Sequence, residues 1–187
     1  MTTYLDPVNG SRISQAYAEA MSSAPITRVM VATYEFRHPN FLEGGVVTPI
    51  RVVNDFTNIR AKLESAAPVG ADTFVEFTAM PVSVNGPEEG DTSSVPSLSI
   101  NVDGVSGHIA EQLDEALLSA TPVEVTERIY ASDDLTAPAR MPPITMILRT
   151  INVTDVTVSA QASFYDPANN AFPRKEYTLA EHPGLSI

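Results

Sequence analysis

The chain has 187 residues, 43% of them hydrophobic and only 18% charged, and carries a net charge of −12 with no cysteine. That length can bury a full core without disulfides or a metal. The acidity and the scatter of eleven basic residues argue against nucleic acid or an anionic membrane as partner, and zero cysteines removes thiol chemistry and thiolate metal sites.

In chain order, the opening "MTTYLDPVNGSRIS" lacks the basic start and apolar run of a signal peptide. Residues 11–24 are predicted to be a helix: Ser11 can cap it, Ile13, Ala16, Tyr17, Ala20 and Met21 form the apolar stripe, and Pro25 stops it. Alternation around Val29, Val31, Thr33 and Glu35 predicts a strand over 26–38, followed by a turn over 39–45. Residues 46–55 read as a returning strand, with Pro49 placing it near an edge or bulge. The run over 58–66 is too short for a convincing helix and alternates through Ile59, Ala61 and Leu63, which predicts a strand. A further strand is expected over 72–84, then an exposed acidic loop over 85–97 and a strand over 97–104.

A second helix is predicted over 106–120, with Ile109, Leu113, Ala116 and Leu117 opposite Glu111, Asp114 and Glu115, and Pro122 beyond its end. Strand alternation resumes over 123–131. Residues 132–143 hold three prolines and read as a loop, and 144–166 read as a β-hairpin turning at 152–155. No stretch approaches 18 apolar residues, so no membrane span is expected. The fold class is mainly β with two helices (α+β), a β-barrel or β-sandwich core with projecting loops. The domain covers 1–166, and 167–187 form an extended C-terminal arm.

No residue pattern signals catalysis. His38, His108 and His182 stand alone, without metal-ligand spacing. No G-x-S-x-G elbow and no Gly-rich phosphate loop occurs. Glu88, Glu89 and Asp91 lack an EF-hand's spacing, and Asn101 with Asp103 lacks downstream ligands. The expectation is no enzyme activity, no catalytic residue, no cofactor and no metal. A hydrolase would need two carboxylates facing one cleft, such as Glu124 with Glu127, or Glu76 with a partner. Arg37, Arg51, Arg128 and Arg149 lie in or beside strands. They either bind the barrel's own carboxylates or bridge to another chain.

Several segments in one order carry a resemblance: "TYEFRHPNF", "PIRVVND", "LSINVDGVSGHIAEQLDEAL", "VEVTERIYAS" and "FPRKEYTLAEHPGL". Together they resemble an uncharacterised family of tailed-bacteriophage minor tail proteins, often described only as a domain of unknown function. The resemblance implies a structural role in the tail tip or baseplate, hub-like or distal-tail-like, in a virion assembled in the host bacterial cytoplasm. It implies a homo-oligomeric ring, a trimer or hexamer, joining the tail tube to the receptor-binding or penetration apparatus. Its other partners would be the tube, hub, tape measure or central fibre. The alternatives are a small cell-wall or capsule hydrolase, or a receptor- or carbohydrate-binding module of the tail tip. On this reading Phe172, Arg174, Lys175, Tyr177 and Leu185 of the arm are interface residues, with aromatics as anchors.

Overall fold

The computed structural model describes residues 3–5, 12–14, 22, 29–85, 97–105, 107–154 and 157–164. Fourteen strands are described. The first nine are β1 (Thr3–Leu5), β2 (Arg12–Ser14), β3 (Met30–Arg37), β4 (Leu42–Glu43), β5 (Val46–Val47), β6 (Ile50–Val53), β7 (Ile59–Lys62), β8 (Phe74–Ala79) and β9 (Val82–Asn85). Then come β10 (Ser97–Asp103), the helix α1 (Gly107–Leu117), β11 (Glu124–Ala131), β12 (Arg140–Met141), β13 (Ile144–Val153) and β14 (Thr157–Ser163). The architecture is α+β with a β core, and α1 is its one multi-residue helix among the described residues.

The main sheet runs β7-β8-β6-β3-β11-β13-β14-β10-β9. Its neighbours are antiparallel except β6 and β8. Strands β8 and β9 stand near opposite ends of that order, yet only Met80 and Pro81 separate them. Three residue steps reach about 11 Å at most, so the two edges of the sheet must meet. The ladder carries through this corner. Met80 N–H donates to the Val53 carbonyl at 3.0 Å, and Asp103 N–H donates to the Pro81 carbonyl at 3.0 Å. β8 and β9 thus act as one bent strand, paired first with β6 and then with β10, and the sheet closes as a barrel.

Period-2 alternation fills the interior. Tyr34 and Phe36 of β3, Val52 of β6, Val125 of β11, Met146 and Leu148 of β13, Val158 and Ala160 of β14, and Ile100 and Val102 of β10 form one buried cluster. Helix α1 adds Leu113 and Ala116 to it and turns Glu111, Asp114 and Glu115 to solvent. Gly104, at φ 72°, makes the left-handed turn from β10 towards the helix. A second cluster lies on the outer face of β3, β6 and β11. There Val31, Val53 and Tyr130 are covered by Ala61, Leu63, Ala67 and Phe77 from the β7–β8 hairpin and its connection. β3 is consequently buried on both faces.

The strands expected over 58–66, 97–104 and 123–131, the hairpin over 144–166 and the helix over 106–120 are all present, with trimmed ends. The helix expected over 11–24 is not a helix at its start. Ile13 of β2 pairs with Tyr4 on one side and Arg140 on the other, and this two-sided pairing overrides local helix propensity. Of the remainder of that stretch only Ser22 is described, and it is helical. The strand expected over 46–55 breaks at Thr48 and Pro49, and the one over 72–84 breaks at the barrel corner. The turn at 39–45 extends into a small hairpin, β4–β5. The loop at 132–143 contributes β12. Residues 86–96 of the acidic loop, with Glu88, Glu89 and Asp91, lie outside the described residues.

Candidate functional site

The densest grouping of charge sits on the outer face of β3, at Glu35, whose side chain is wholly buried. Strand register assembles it. Glu35 is directly opposite Arg51 of β6, Thr33 is opposite Arg128 of β11, and Arg37 follows two residues along on the same face. Arg51 Nε donates to Glu35 Oε2 at 2.7 Å, and Arg37 Nη1 donates to Glu35 Oε1 at 2.8 Å. Arg128, also fully buried, donates from Nε and Nη2 to the two oxygens of Glu64 at 2.8 Å each, a bidentate pair. Its Nη1 lies 3.6 Å from Glu35 Oε1 without a hydrogen bond. Arg37 reaches outward to Glu124 at 3.0 Å and donates to Thr126 Oγ1 at 2.8 Å, and the Thr126 and Thr145 hydroxyls pair at 2.9 Å.

Three guanidiniums thus meet three carboxylates. Burial alone would raise the Glu64 carboxyl, but the Arg128 hydrogen bonds and charge outweigh it and hold the group below its ordinary value. Burial disfavours the Arg128 charge too, and Glu64 and Glu35 more than restore it. The centre of the cluster, Glu35 with Arg128 and Glu64, is enclosed, its outer end at Glu124 is half exposed, and its bonds between strands make it a cohesive element. It ties β3, β6 and β11 to the segment after β7. Removing one member would strand a buried charge.

A smaller polar group lies on the other face of β11. Glu127 accepts from Arg140 Nη2 at 2.6 Å and from the Tyr34 hydroxyl at 3.5 Å. Burial, then the Glu127 charge, raises the Tyr34 phenol far above its ordinary value. Glu124 and Glu127 therefore stand on opposite faces, and they do not form the carboxylate pair a glycosidase needs. Glu76 accepts from Asn58 Nδ2 at 3.0 Å. Asp103 accepts from Thr157 Oγ1 at 2.9 Å, and Asn101 Nδ2 approaches Ser83 Oγ at 3.5 Å.

Of the arginines singled out from the sequence, Arg37, Arg51 and Arg128 bind the chain's own carboxylates, whereas Arg149 Nε donates to Ser163 Oγ at 3.0 Å. His38 directly follows β3 and is buried. Asn40 N–H donates to its Nδ1 at 3.1 Å, which leaves Nε2–H to donate to the Thr121 carbonyl at 3.1 Å. His108 lies in the first turn of α1. Phe172, Arg174, Lys175, Tyr177, Leu185 and His182 lie outside the described residues. Among the described residues no group of three or more histidines or carboxylates is arranged to hold a metal ion, and no helix is long and apolar enough to cross a membrane.

The surface holds what sequence reasoning missed. Hairpin β4–β5 turns at Gly44 and Gly45, both at positive φ (59° and 82°), the backbone a two-residue hairpin of this kind requires. Its root is anchored: Phe41 is fully buried, Thr48 N–H donates to the Phe41 carbonyl at 2.8 Å, and Gln112 Nε2 donates to the Leu42 carbonyl at 2.6 Å. Leu42, Val46 and Val47 are exposed, Val46 at 65%. At its base lies an apolar groove of about 430 Å³, lined in part by Val47, Val69, Pro49 and Pro122. The only available sequence signal was a pair of valines beside a Gly-Gly turn.

Among curated proteins none matches the chain. One family does, over residues 16–177, most of the sequence. The chain belongs to the family described as a domain of unknown function (DUF1833).

Proposed function

We propose that this protein is a virion structural protein of a tailed-phage tail tip or baseplate, a ring-forming connector between the tail tube and the receptor-binding or penetration apparatus. The colinear segments quoted above and the cohesive character of the one dense charge cluster support this reading. The observation that carries it is the β4–β5 hairpin, a rigidly rooted projection with Leu42, Val46 and Val47 exposed beside an apolar groove. Contiguous exposed apolar surface on a folded domain marks an interaction site. Protrusion and groove allow a head-to-tail contact, and such contacts close into rings when the rotation allows. The proline-rich 132–143 connection is a further candidate interface element. It lies against β7, where Lys62 N–H donates to the Leu135 carbonyl at 2.8 Å.

The test is electron microscopy with light scattering on purified protein. Wild type forms closed rings of three or six copies. V46K/V47E, which alters only exposed positions, stays monomeric with an unchanged melting temperature. A wild-type protein that remains monomeric at high concentration, alone and with tail-tube protein, overturns the reading.

A further inference from the structure

The β6–β7 connection carries Phe56 at 99% exposure. A lone exposed apolar residue is ordinary on a protein surface, and what sets Phe56 apart is the turn that presents it. Asn54 N–H donates to the Ala32 carbonyl at 3.1 Å, and the Asn54 side chain accepts from Val82 N–H at 3.3 Å. Asn58 accepts from Ala79 N–H at 2.9 Å and donates to Glu76 at 3.0 Å, and Asp55 accepts from Phe56 N–H at 2.7 Å. The two asparagines thus grip the strand backbone on either side of the Met80–Pro81 corner, and the ring between them projects from a fixed base. An aromatic side chain presented in this way has little freedom to lose on docking, which suits it to anchor a contact.

An apolar groove that can take such a ring lies on the same fold, out of its own reach. It is the groove of about 430 Å³ at the base of the β4–β5 hairpin, where Val47, Pro49, Val69 and Pro122 give a mainly apolar wall. That wall includes Arg37, whereas the Phe56 turn starts level with Ala32, so five rises of β3, about 17 Å, separate the two. The charges match as well. Arg60, four positions beyond Phe56, is exposed and has no carboxylate at ion-pair distance among the described residues. Glu124 on the groove wall is half exposed and gives one oxygen to Arg37. We propose that Phe56 of one copy seats in this groove on a second copy of the chain, with Arg60 towards the second copy's Glu124. Ring and groove are different surfaces at opposite ends of β3, so the contact is heterologous and leaves a free end on each row of copies until the row closes. The inference rests on the ring reading and supplies the surface that enters the groove.

The sequence has no cysteine, so single cysteines report the contact on the full chain. Thr57→Cys, an exposed neighbour that leaves the Phe56 ring in place, is mixed with Val69→Cys at high protein concentration under mild oxidation. The expected product is a 57–69 disulfide between chains, formed roughly tenfold faster than the 57–57 or 69–69 disulfide of either variant alone, because docking raises the local concentration of that pair. Adding Phe56→Ser to the Thr57→Cys chain slows it roughly ten- to a hundredfold, the scale of one buried phenyl ring, with an unchanged melting temperature. Arg60→Glu in the same chain slows it about threefold, the scale of an exposed ion pair. Equal rates for the three disulfides overturn the proposal, as does a 57–69 rate that ignores either substitution. Rings that V46K/V47E abolishes and Phe56→Ser leaves intact sink this contact alone, whereas a wild type that stays monomeric sinks the ring reading with it.

Discussion

Arg128→Met tests whether the Glu35 cluster is the cohesive element its geometry implies. The substitution keeps an unbranched, buried side chain but removes both 2.8 Å bonds to Glu64 and the charge 3.6 Å from Glu35. Glu35 retains Arg37 and Arg51, whereas among the described residues Glu64 loses its one cationic partner. Stranding a buried charge in this way costs about 3–5 kcal/mol. For a chain of this size that is a fall in Tm of roughly 6 to 20 °C. The pH dependence supplies the signature. In the wild type the Glu64 pKa is lower folded than unfolded, so its contribution is complete above the ordinary carboxyl value, about 4.3, and is lost as pH falls through the folded value. In Arg128→Met only a backbone hydrogen bond and the Arg37 charge still oppose burial, so the folded pKa of Glu64 moves up. Protonation then relieves the defect, and variant and wild type converge as pH falls from 7 towards 4. Urea unfolding followed by circular dichroism at pH 7.5 and 4.5 measures both effects. Arg128→Met combined with Glu64→Leu, which removes the stranded carboxylate, recovers most of the loss at pH 7.5. A single variant within about 1 kcal/mol of wild type at pH 7.5 refutes the reasoning, as does a deficit that does not change with pH.

Tyr130 is buried with its hydroxyl donating to the Lys62 carbonyl at 2.9 Å, and burial raises both its phenol and that of Tyr34. Both are protonated in the folded state where an unfolded phenol ionises, so stability falls as pH rises above about 10. Absorbance at 295 nm should show these two ionising only with unfolding. His38→Ala removes bonds to the Thr121 carbonyl and Asn40 N–H in a buried turn and costs about 2–4 kcal/mol, read by urea melts. Gly44→Ala and Gly45→Ala meet no steric obstacle, so each costs only the left-handed backbone penalty, about 1 kcal/mol. Hydrogen exchange should rise in 41–48 with little change in global stability.

The elements legible in the sequence are those whose signal is local. Leu113 and Ala116 mark the buried side of α1 within a few turns, and the 144–166 hairpin repeats its alternation on both sides of a turn. Glu35 could not be read this way. Its place in the strand pattern was plain, but its burial depends on Arg51 and on Arg128, brought in by strand register from 16 and 93 positions away. The break in 72–84 was hidden for a related reason. Alternation marks the two faces of a strand and carries no information about which neighbour lies along each half. The opposite facing of Glu124 and Glu127, by contrast, follows from their spacing of three on a strand, and the period alone was enough to reject that pair.

The corner at Met80 and Pro81 bears on how the chain folds. One strand hydrogen-bonds with its first half to β6, from the N-terminal part of the chain, and with its second half to β10, from the part that leads into α1. Neither half of the molecule therefore owns a complete set of backbone partners, and neither can close its hydrogen-bond ladder alone. Closing the barrel requires pairings between segments distant in sequence, which places the cost of closing the long loops before much of the reward. The barrel is accordingly expected to unfold as one cooperative unit, seen as coincident urea transitions by fluorescence and circular dichroism. A cut or an insertion at this two-residue corner would open the whole structure, whereas the β4–β5 tip, where a Cβ on either glycine meets nothing, can vary without touching it.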